Sequence, residues 1–444
     1  MDEEWSLRRG EARARARDFL DSVHKYSNLL LERGQGRYGF MHLTFEEALA
    51  ARGLVQLGQL KLDDSLAVIG QYVADPAWRE TVLLAVGVWG LVREEPRKAG
   101  EVVRAILKMD CAGNAACNNV LLAGACLEDV GEMGLSRAVA NEVKDALLTA
   151  AHNRSLLPAV QRDTGFILGR VGWVPGDLDE FVTIPAGPFL YGEDKRTVVI
   201  EKPYQIAKYP VTNLQYRRFI DAGGYEKREH WSEDGWAWRK GTYDSRALKE
   251  DRAWLSNRPK LKRGEPYFWH DMKWNNPLAP VVGVSWFEAE AYCKWLANEL
   301  GKPIRLPTEE EWERAARHTD GREYPWGDKF DHNCLNCAEW WAQVDELTDR
   351  DKWIDWRKSS SGEAASTTVV GQFVEGNSTT GISDISGNVW EWTNTWLDRE
   401  QMYRVICGGS WYSLRRHARC ASRGRNIPAS FYHNTGFRVF LPGS

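Results

Sequence analysis

The chain of 444 residues has no apolar run long enough to cross a bilayer as a helix, which takes about 20 residues. Membrane-spanning helices are therefore not expected. Its start, MDEEWSLRRGEARARARDF, is charged and lacks the apolar stretch of a secretory signal. Eight cysteines over this length are too few for a disulfide-built scaffold, and the expected compartment is the cytoplasm. No segment of the form GxxxxGK[ST] occurs, so the phosphate-cradling loop of nucleotide hydrolases is missing. A net charge of −4 and a pI near 6.2 give no specific signal for nucleic acid.

What is present is unevenly distributed. The length exceeds what one core supports and predicts two or three domains. Of 22 tryptophans only Trp5, Trp78, Trp89 and Trp173 precede residue 180. That shift places a boundary near 165–180, at LGRVGWVPGDLDE. Before it the sequence reads as helices: one over 11–33, one after Thr44 with Glu47 as a capping box, and one opened by Pro76. Further helices are expected over 99–123 and 136–150. Cys111, Cys117 and Cys126 are not spaced as a metal pair and are expected as packing residues.

YGFMHLTFEEALAARGL (38–54) resembles the helical and winged-helix end of NACHT-type NTPases, and PAWRETVLLAVG (76–87) resembles the helical repeats that follow. The resemblance implies a helical segment over 1–55 and a helical-repeat connector over 56–165. It also implies an NTPase module upstream, outside this sequence. A small helical bundle of another kind is the alternative.

Beyond the boundary, strands are expected within 180–192, 196–211 and 405–411. Helices are expected after Thr212, after Ser285 (boxed by Glu288, stopped by Gly301) and after Thr308. The remainder reads as long loops held by aromatic packing. The motifs IPAGPFLYG (184–192), YQIAKYPVTNLQYRRFI (204–220), PVVGVSWFEAEAYCKWL (280–296) and RLPTEEEWERAAR (305–317) occur in order. They are followed by YPWG (324–327), GISDISGNVWEWT (381–393), GGSW (408–411) and GFRVF (436–440). This succession resembles the formylglycine-generating enzyme (sulfatase-modifying factor) family. The resemblance implies an α+β, C-type lectin-like domain over 175–442, preceded by an all-α helical-repeat or winged-helix-like region.

In that family two cysteines after GGS bind copper and carry the oxidation. Here those places hold Ser413 and Ala418, and neither side chain supplies a soft thiolate ligand. Related iron enzymes use histidines of an N-terminal helical domain, and His24, His42 and His152 do not form such a set. No catalytic residue and no catalytic cofactor are therefore expected. Cys334 and Cys337 form an isolated CxxC without a second pair, and packing is the expected role. The resemblance also implies structural calcium held by Asp384, Gly387, Val389 and Glu391, with Asn336 and Cys337 beginning a second site. The alternative for Glu391 is a buried aromatic–acid network.

Residues 411–435 combine Tyr, Ser, Arg, His and Asn without apolar periodicity, the vocabulary of recognition loops. Residues 412–435 hold no Lys, Glu, Gln, Met or Trp, the residues that randomising the adenines of asparagine codons cannot produce. This resembles the variable proteins of diversity-generating retroelements. By position the diversified set is Tyr412, Ser413, Leu414, His417, Ser422, Gly424, Arg425, Asn426, Ser430, Tyr432, His433 and Asn434. Arg416, Arg419, Arg423 and Pro428 would be scaffold. The resulting expectation is a non-catalytic protein that displays a diversified surface to an unknown protein or other macromolecular target. It would act as the sensor of an upstream NTPase. The alternatives are a fixed-sequence, non-catalytic family member and an oxidoreductase of the same family.

Overall fold

The structure, a computed structural model, describes residues 43–443 except 112–115, 245–262 and 348, together with residues 18, 30–32 and 38–40. Contacts divide the chain into two units, Met1–Ala146 and Leu147–Ser444, and the division falls inside the helix Arg137–Ala151.

The first unit is largely helical. Leu30–Glu32 (β1) pairs antiparallel with Tyr38–Phe40 (β2), so the end of the helix expected over 11–33 is a strand. Apart from residue 18, the rest of that segment lies outside the described residues. The helix Leu43–Leu60 begins before Thr44, which is helical and so cannot be the extended cap residue the sequence predicted. At Pro76 the expected start is found. Asp75 accepts from the Ala77 amide at 2.9 Å, and a turn over Pro76–Trp78 leads into Arg79–Gly87 and a π turn over Val88–Val92. Val82, Ala85, Val86 and Trp89 are buried, as an almost wholly apolar helix requires. The single helix expected over 99–123 is two, Pro96–Leu107 and Asn118–Gly134. Cys126 is fully buried, whereas Cys111 and Cys117 are half-buried.

The second unit starts earlier than the boundary read at 165–180. The helix Pro158–Arg170 buries Phe166, Ile167 and Leu168, and Phe166 shares an apolar cluster with Tyr209, Leu278 and Val369. Asn276 Nδ2 donates to the Phe166 carbonyl at 2.8 Å. Tryptophan content marked where the aromatic core begins, not where the helix that packs on it begins.

Three sheets follow. Phe181–Ile184 (β3) pairs antiparallel with Tyr204–Ala207 (β6), which pairs with Phe440–Leu441 (β11). Gly187–Tyr191 (β4) and Arg196–Ile200 (β5) form a hairpin. The third sheet has the order Thr435–Gly436 (β10), Trp390–Trp396 (β7), Arg404–Cys407 (β8), Arg423–Asn426 (β9); β10 runs parallel to β7 and the other pairs are antiparallel.

The helices with sequence caps form as expected. Thr212, Ser285 and Thr308 each complete a capping box, and Gly301 closes Trp286–Leu300 in the left-handed region at φ 62°. Glu288 also reaches inward, where Tyr225 Oη donates to it at 2.7 Å. Around that bond pack Tyr216, Phe219, Trp231, Tyr292 and Phe437. One buried ion pair ties the third sheet to the first. Arg438 Nε and Nη2 donate to the two oxygens of Glu391 at 2.7 Å each, and Trp312 Nε1 donates to Oε2 at 2.7 Å. The remaining Arg438 donors go to the carbonyls of Ala207, Lys208 and Ser383.

Candidate ligand-binding cleft

The segment 411–418 lies between the GGSW turn and β9, and its backbone is fastened from three sides. The Trp411 amide donates to the Asn388 carbonyl at 3.0 Å, and the Ala338 amide to the Ser413 carbonyl at 3.0 Å. Trp353 Nε1 donates to the Tyr412 carbonyl at 2.8 Å. Both carboxylate oxygens of Glu339 accept from the Arg415 amide at 3.0 Å, and burial raises that carboxyl group above its ordinary range. Ser386 Oγ donates to the Ala418 carbonyl at 2.5 Å. A loop held at this many backbone positions is a fixed wall, not a mobile flap.

That wall borders a cleft of about 470 Å³. Trp353 and Arg350 come from the helix Arg350–Arg357, Trp390 from β7, Arg423 and Gly424 from β9, and the others from the loop: Tyr412, Ser413, Leu414, Arg416 and His417. Arg423 is neutralised behind the cleft: its Nε lies 3.0 Å from Glu309, and Glu313 engages Nη2. Glu313 also pairs with Arg317 at 2.7 Å, both fully buried. His417 is held below its ordinary proton affinity by burial, then by Arg416 and Arg419.

The positions that hold thiols in the resembled oxidase are occupied differently. Ser413 lines the cleft, but its Oγ is bonded to Ser410, 2.8 Å from that hydroxyl and 3.1 Å from that amide. Ala418 is buried. Cys407 and Cys420, the nearest thiols in sequence, are buried in an apolar cluster and do not line the cleft. Burial pushes Cys407 up to about 12 and Cys420 higher still, which disfavours the nucleophilic or metal-binding thiolate. Cys334 and Cys337 are buried free thiols, both with raised proton affinity from burial. His152 is bonded to the carbonyls of Leu148 and Gly371, and His24 and His42 lie outside the described residues.

The twelve positions expected on a displayed surface do not share one environment. Ser413, Leu414, Ser422, Ser430 and Asn434 are buried. Gly424 sits on β9, inside a stretch that was read as loop, and a Cβ there would lie 2.8 Å from Ile406 Cγ1. Arg425 and Tyr432 are exposed, and Tyr412, His417, Asn426 and His433 are half-buried. His433 stacks on Trp274 at 5.0 Å and contacts Trp411 and Tyr412. Conversely Arg416, expected as scaffold, is exposed and lines the cleft. Helix Arg350–Arg357 was missed altogether; the only cue was Asp349 at its cap, accepting from the Lys352 amide.

Among the residues proposed for calcium, Asp384 is buried, and burial pushes its carboxyl group up to about 6. Its Oδ2 accepts from the Gly371 amide at 2.6 Å. Glu391 is engaged by Arg438 and Trp312, the buried aromatic–acid network of the alternative reading. Asn336 Nδ2 donates to Ser366 and Asn388, its Oδ1 accepts from Trp341, and Cys337 caps the helix Ala338–Ala342. Gly387 has φ 79° and passes close to the Asn336 carbonyl; Val389 donates to the Gly387 carbonyl. Among the described residues no group of three or more His, Cys, Asp or Glu side chains converges as a metal centre.

Known proteins agree with this picture of the second unit. Over 294 residues the chain is 32% identical to the inactive C-alpha-formylglycine-generating enzyme 2 of Bos taurus, a match of 59% of this chain and 88% of that one. It is 29% identical over 323 residues to the hercynine oxygenase of Mycolicibacterium thermoresistibile, 64% of this chain and 63% of that one, so it spans under two thirds of the oxygenase. The variable protein 1 of Treponema denticola superposes with a TM-score of 0.39 at 17% identity, covering 59% of this chain and 95% of that one. Likeness to a relative named inactive is consistent with a loss of catalytic activity. A family model for the sulfatase-modifying factor enzyme 1-like domain matches residues 173–441, more than half of the sequence, and the chain belongs to that family.

Proposed function

We propose that this chain is a fixed-sequence, non-catalytic member of its family that binds a ligand in the cleft beside Tyr412, Arg416 and Trp353. The observation that carries the reading is the persistence of the cleft without thiols at positions 413 and 418. The cleft is walled by a well-fastened loop, while Cys407 and Cys420 are sealed in the core. Purified protein supplied with copper(I), oxygen and a thiol peptide is expected to consume oxygen at the background rate. Turnover that disappears in Cys407→Ser or Cys420→Ser would overturn the proposal.

A diversified surface is the second reading, favoured by one observation: Tyr412, Ser413, Leu414, His417 and Gly424 of the expected variable set line the cleft itself. Sequencing the 3′ end of the gene and the adjoining DNA across isolates tests it, since diversification requires a near-copy that differs only at adenines. The relay to an upstream NTPase rests on the resemblance of 38–54 and 76–87 alone, and requires a nucleotide-binding loop in the full-length gene. Calcium is carried as a proposal for Asp384 and its neighbours, tested by the melting temperature in excess calcium and in chelator. No described helix is long and apolar enough to cross a membrane. A cytoplasmic setting is part of the proposal and is tested by fractionation.

A further inference from the structure

The cleft's charge is unbalanced. Among the described residues three arginines line it and no carboxylate does. Arg423 is matched by Glu309 and Glu313. Arg350 and Arg416 are exposed, and among the described residues neither has a carboxylate partner. The Arg416 guanidinium donates from Nε to His417 Nε2 at 3.4 Å. Arg357, two turns along the same helix from Arg350, lies over the rings of Trp353 and Tyr412 at 5.0 and 5.8 Å. The acidic residues of that helix, Asp351 and Asp355, do not line the cleft.

The apolar part of the lining is aromatic and preset. Trp353 is fixed by its bond to the Tyr412 carbonyl. The Trp353 and Tyr412 rings lie 5.9 Å apart, and Trp390 closes the opposite side 6.4 Å from the His417 ring. Rings held in place bind a flat ligand without first losing rotamer freedom. A guanidinium without a counter-charge favours an oxyanion, which it meets with two parallel donors. A cation would meet like charge, and a neutral ligand would leave both guanidinium groups unmatched. The volume lies within the range of about 300–1,000 Å³ typical of small-molecule sites and is too small for a folded partner.

We propose that the cleft takes a small oxyanion carried on a planar ring, the anion held by Arg350 and Arg416 and the ring packed against Trp353 and Tyr412. The inference rests on the reading of the cleft as a ligand site. Carboxylate and phosphate share the chemistry, and separate probes distinguish them.

The test uses the full chain and four probes: phenylacetate, phenyl phosphate, benzylamine and inorganic phosphate. Each is titrated by calorimetry and by shifts of the tryptophan indole N–H signals. At least one of the ring-bearing anions is expected to bind saturably, and the tighter of the two names the oxyanion. Benzylamine is expected to bind at least tenfold more weakly, as is inorganic phosphate, which lacks the ring. Added salt is expected to weaken the anions. Arg350→Ala with Arg416→Ala is expected to remove the preference at an unchanged melting temperature, because both side chains are exposed. Benzylamine binding as tightly as phenylacetate and phenyl phosphate would overturn the anion assignment and leave the cleft a ligand site. Inorganic phosphate binding as tightly as phenyl phosphate would overturn the ring. No saturable binding by any ring probe would overturn both the inference and the reading beneath it.

Discussion

Replacing Glu391 with glutamine tests what holds the two larger sheets of the second unit together. Glu391 is 1% exposed and Arg438 is fully buried. The carboxylate accepts three bonds of 2.7 Å, two from Arg438 and one from Trp312. Glutamine keeps the shape but removes the charge and turns an NH₂ group toward a guanidinium. Breaking one partner of a buried pair costs about 3–5 kcal/mol, because the other charge is left uncompensated. Each kcal/mol moves the midpoint of a domain of this size by about 2–4 °C, so a fall of roughly 6–20 °C is expected in a thermal melt followed by circular dichroism. The double variant Glu391→Leu with Arg438→Met removes both charges and is expected to lose less than the sum of the two single variants. A fall of under about 2 °C for Glu391→Gln would refute the claim that this pair holds the sheets. Calcium separates in the same experiment. If Glu391 is a ligand, the wild type melts higher in excess calcium than in chelator and Glu391→Gln does not.

Other outcomes follow from single residues. Burial raises Asp384 to about 6, so the folded chain keeps a proton that the unfolded chain releases near its ordinary value of about 4. Its contribution is fully present below about 4 and lost as pH rises through 6; Asp384→Asn should flatten that slope and gain about 2–3 kcal/mol at pH 8. His433 works in the opposite sense. Burial, then Lys273 and Arg357, lower it to about 4, so its contribution is present above its ordinary value and lost as pH falls toward 4. The slope of stability between pH 4 and 6.5 in His433→Gln, compared with wild type, checks it. Gly424→Asp should cost about 1–3 kcal/mol in denaturant melts, because its Cβ meets Ile406 and Trp390; a neutral result would favour the diversified reading. In the first unit, a Cβ on Gly90 would lie 2.5 Å from the Gly134 carbonyl, so Gly90→Val should lower helicity by circular dichroism.

The sequence carried the second unit's framework well, because its signals are local. Thr212, Ser285 and Thr308 announce their helices through side chains that reach only three residues, and Gly301 closes a helix for reasons of its own backbone. Paired strands are less local. β9 is RGRN, with no apolar alternation, and is a strand only because β8 lies beside it. The burial of residues in the 411–435 loop is hard to read for the same reason. Ser413, Ser422, Ser430 and Asn434 are polar residues that look exposed in the sequence, yet all four are buried, and Ser410 bonds to Ser413 and Asn434. The cleft's second wall, Arg350–Arg357, lies more than 50 residues before the loop it faces, and nothing in either segment names the other. At the N-terminal side, Thr44 satisfied the pattern of a cap, but the helix had already begun.

The hydroxyl contact between Ser410 and Ser413 has a consequence for when the cleft is open. A loop pinned by thiols would change shape with oxygen, reductant and metal supply. Here a hydrogen bond between two serines stands at that corner, and no cysteine lines the cleft. On the proposed reading, occupancy of the cleft would follow ligand concentration and salt, with no thiol in its lining for a cell's oxidative state to act on.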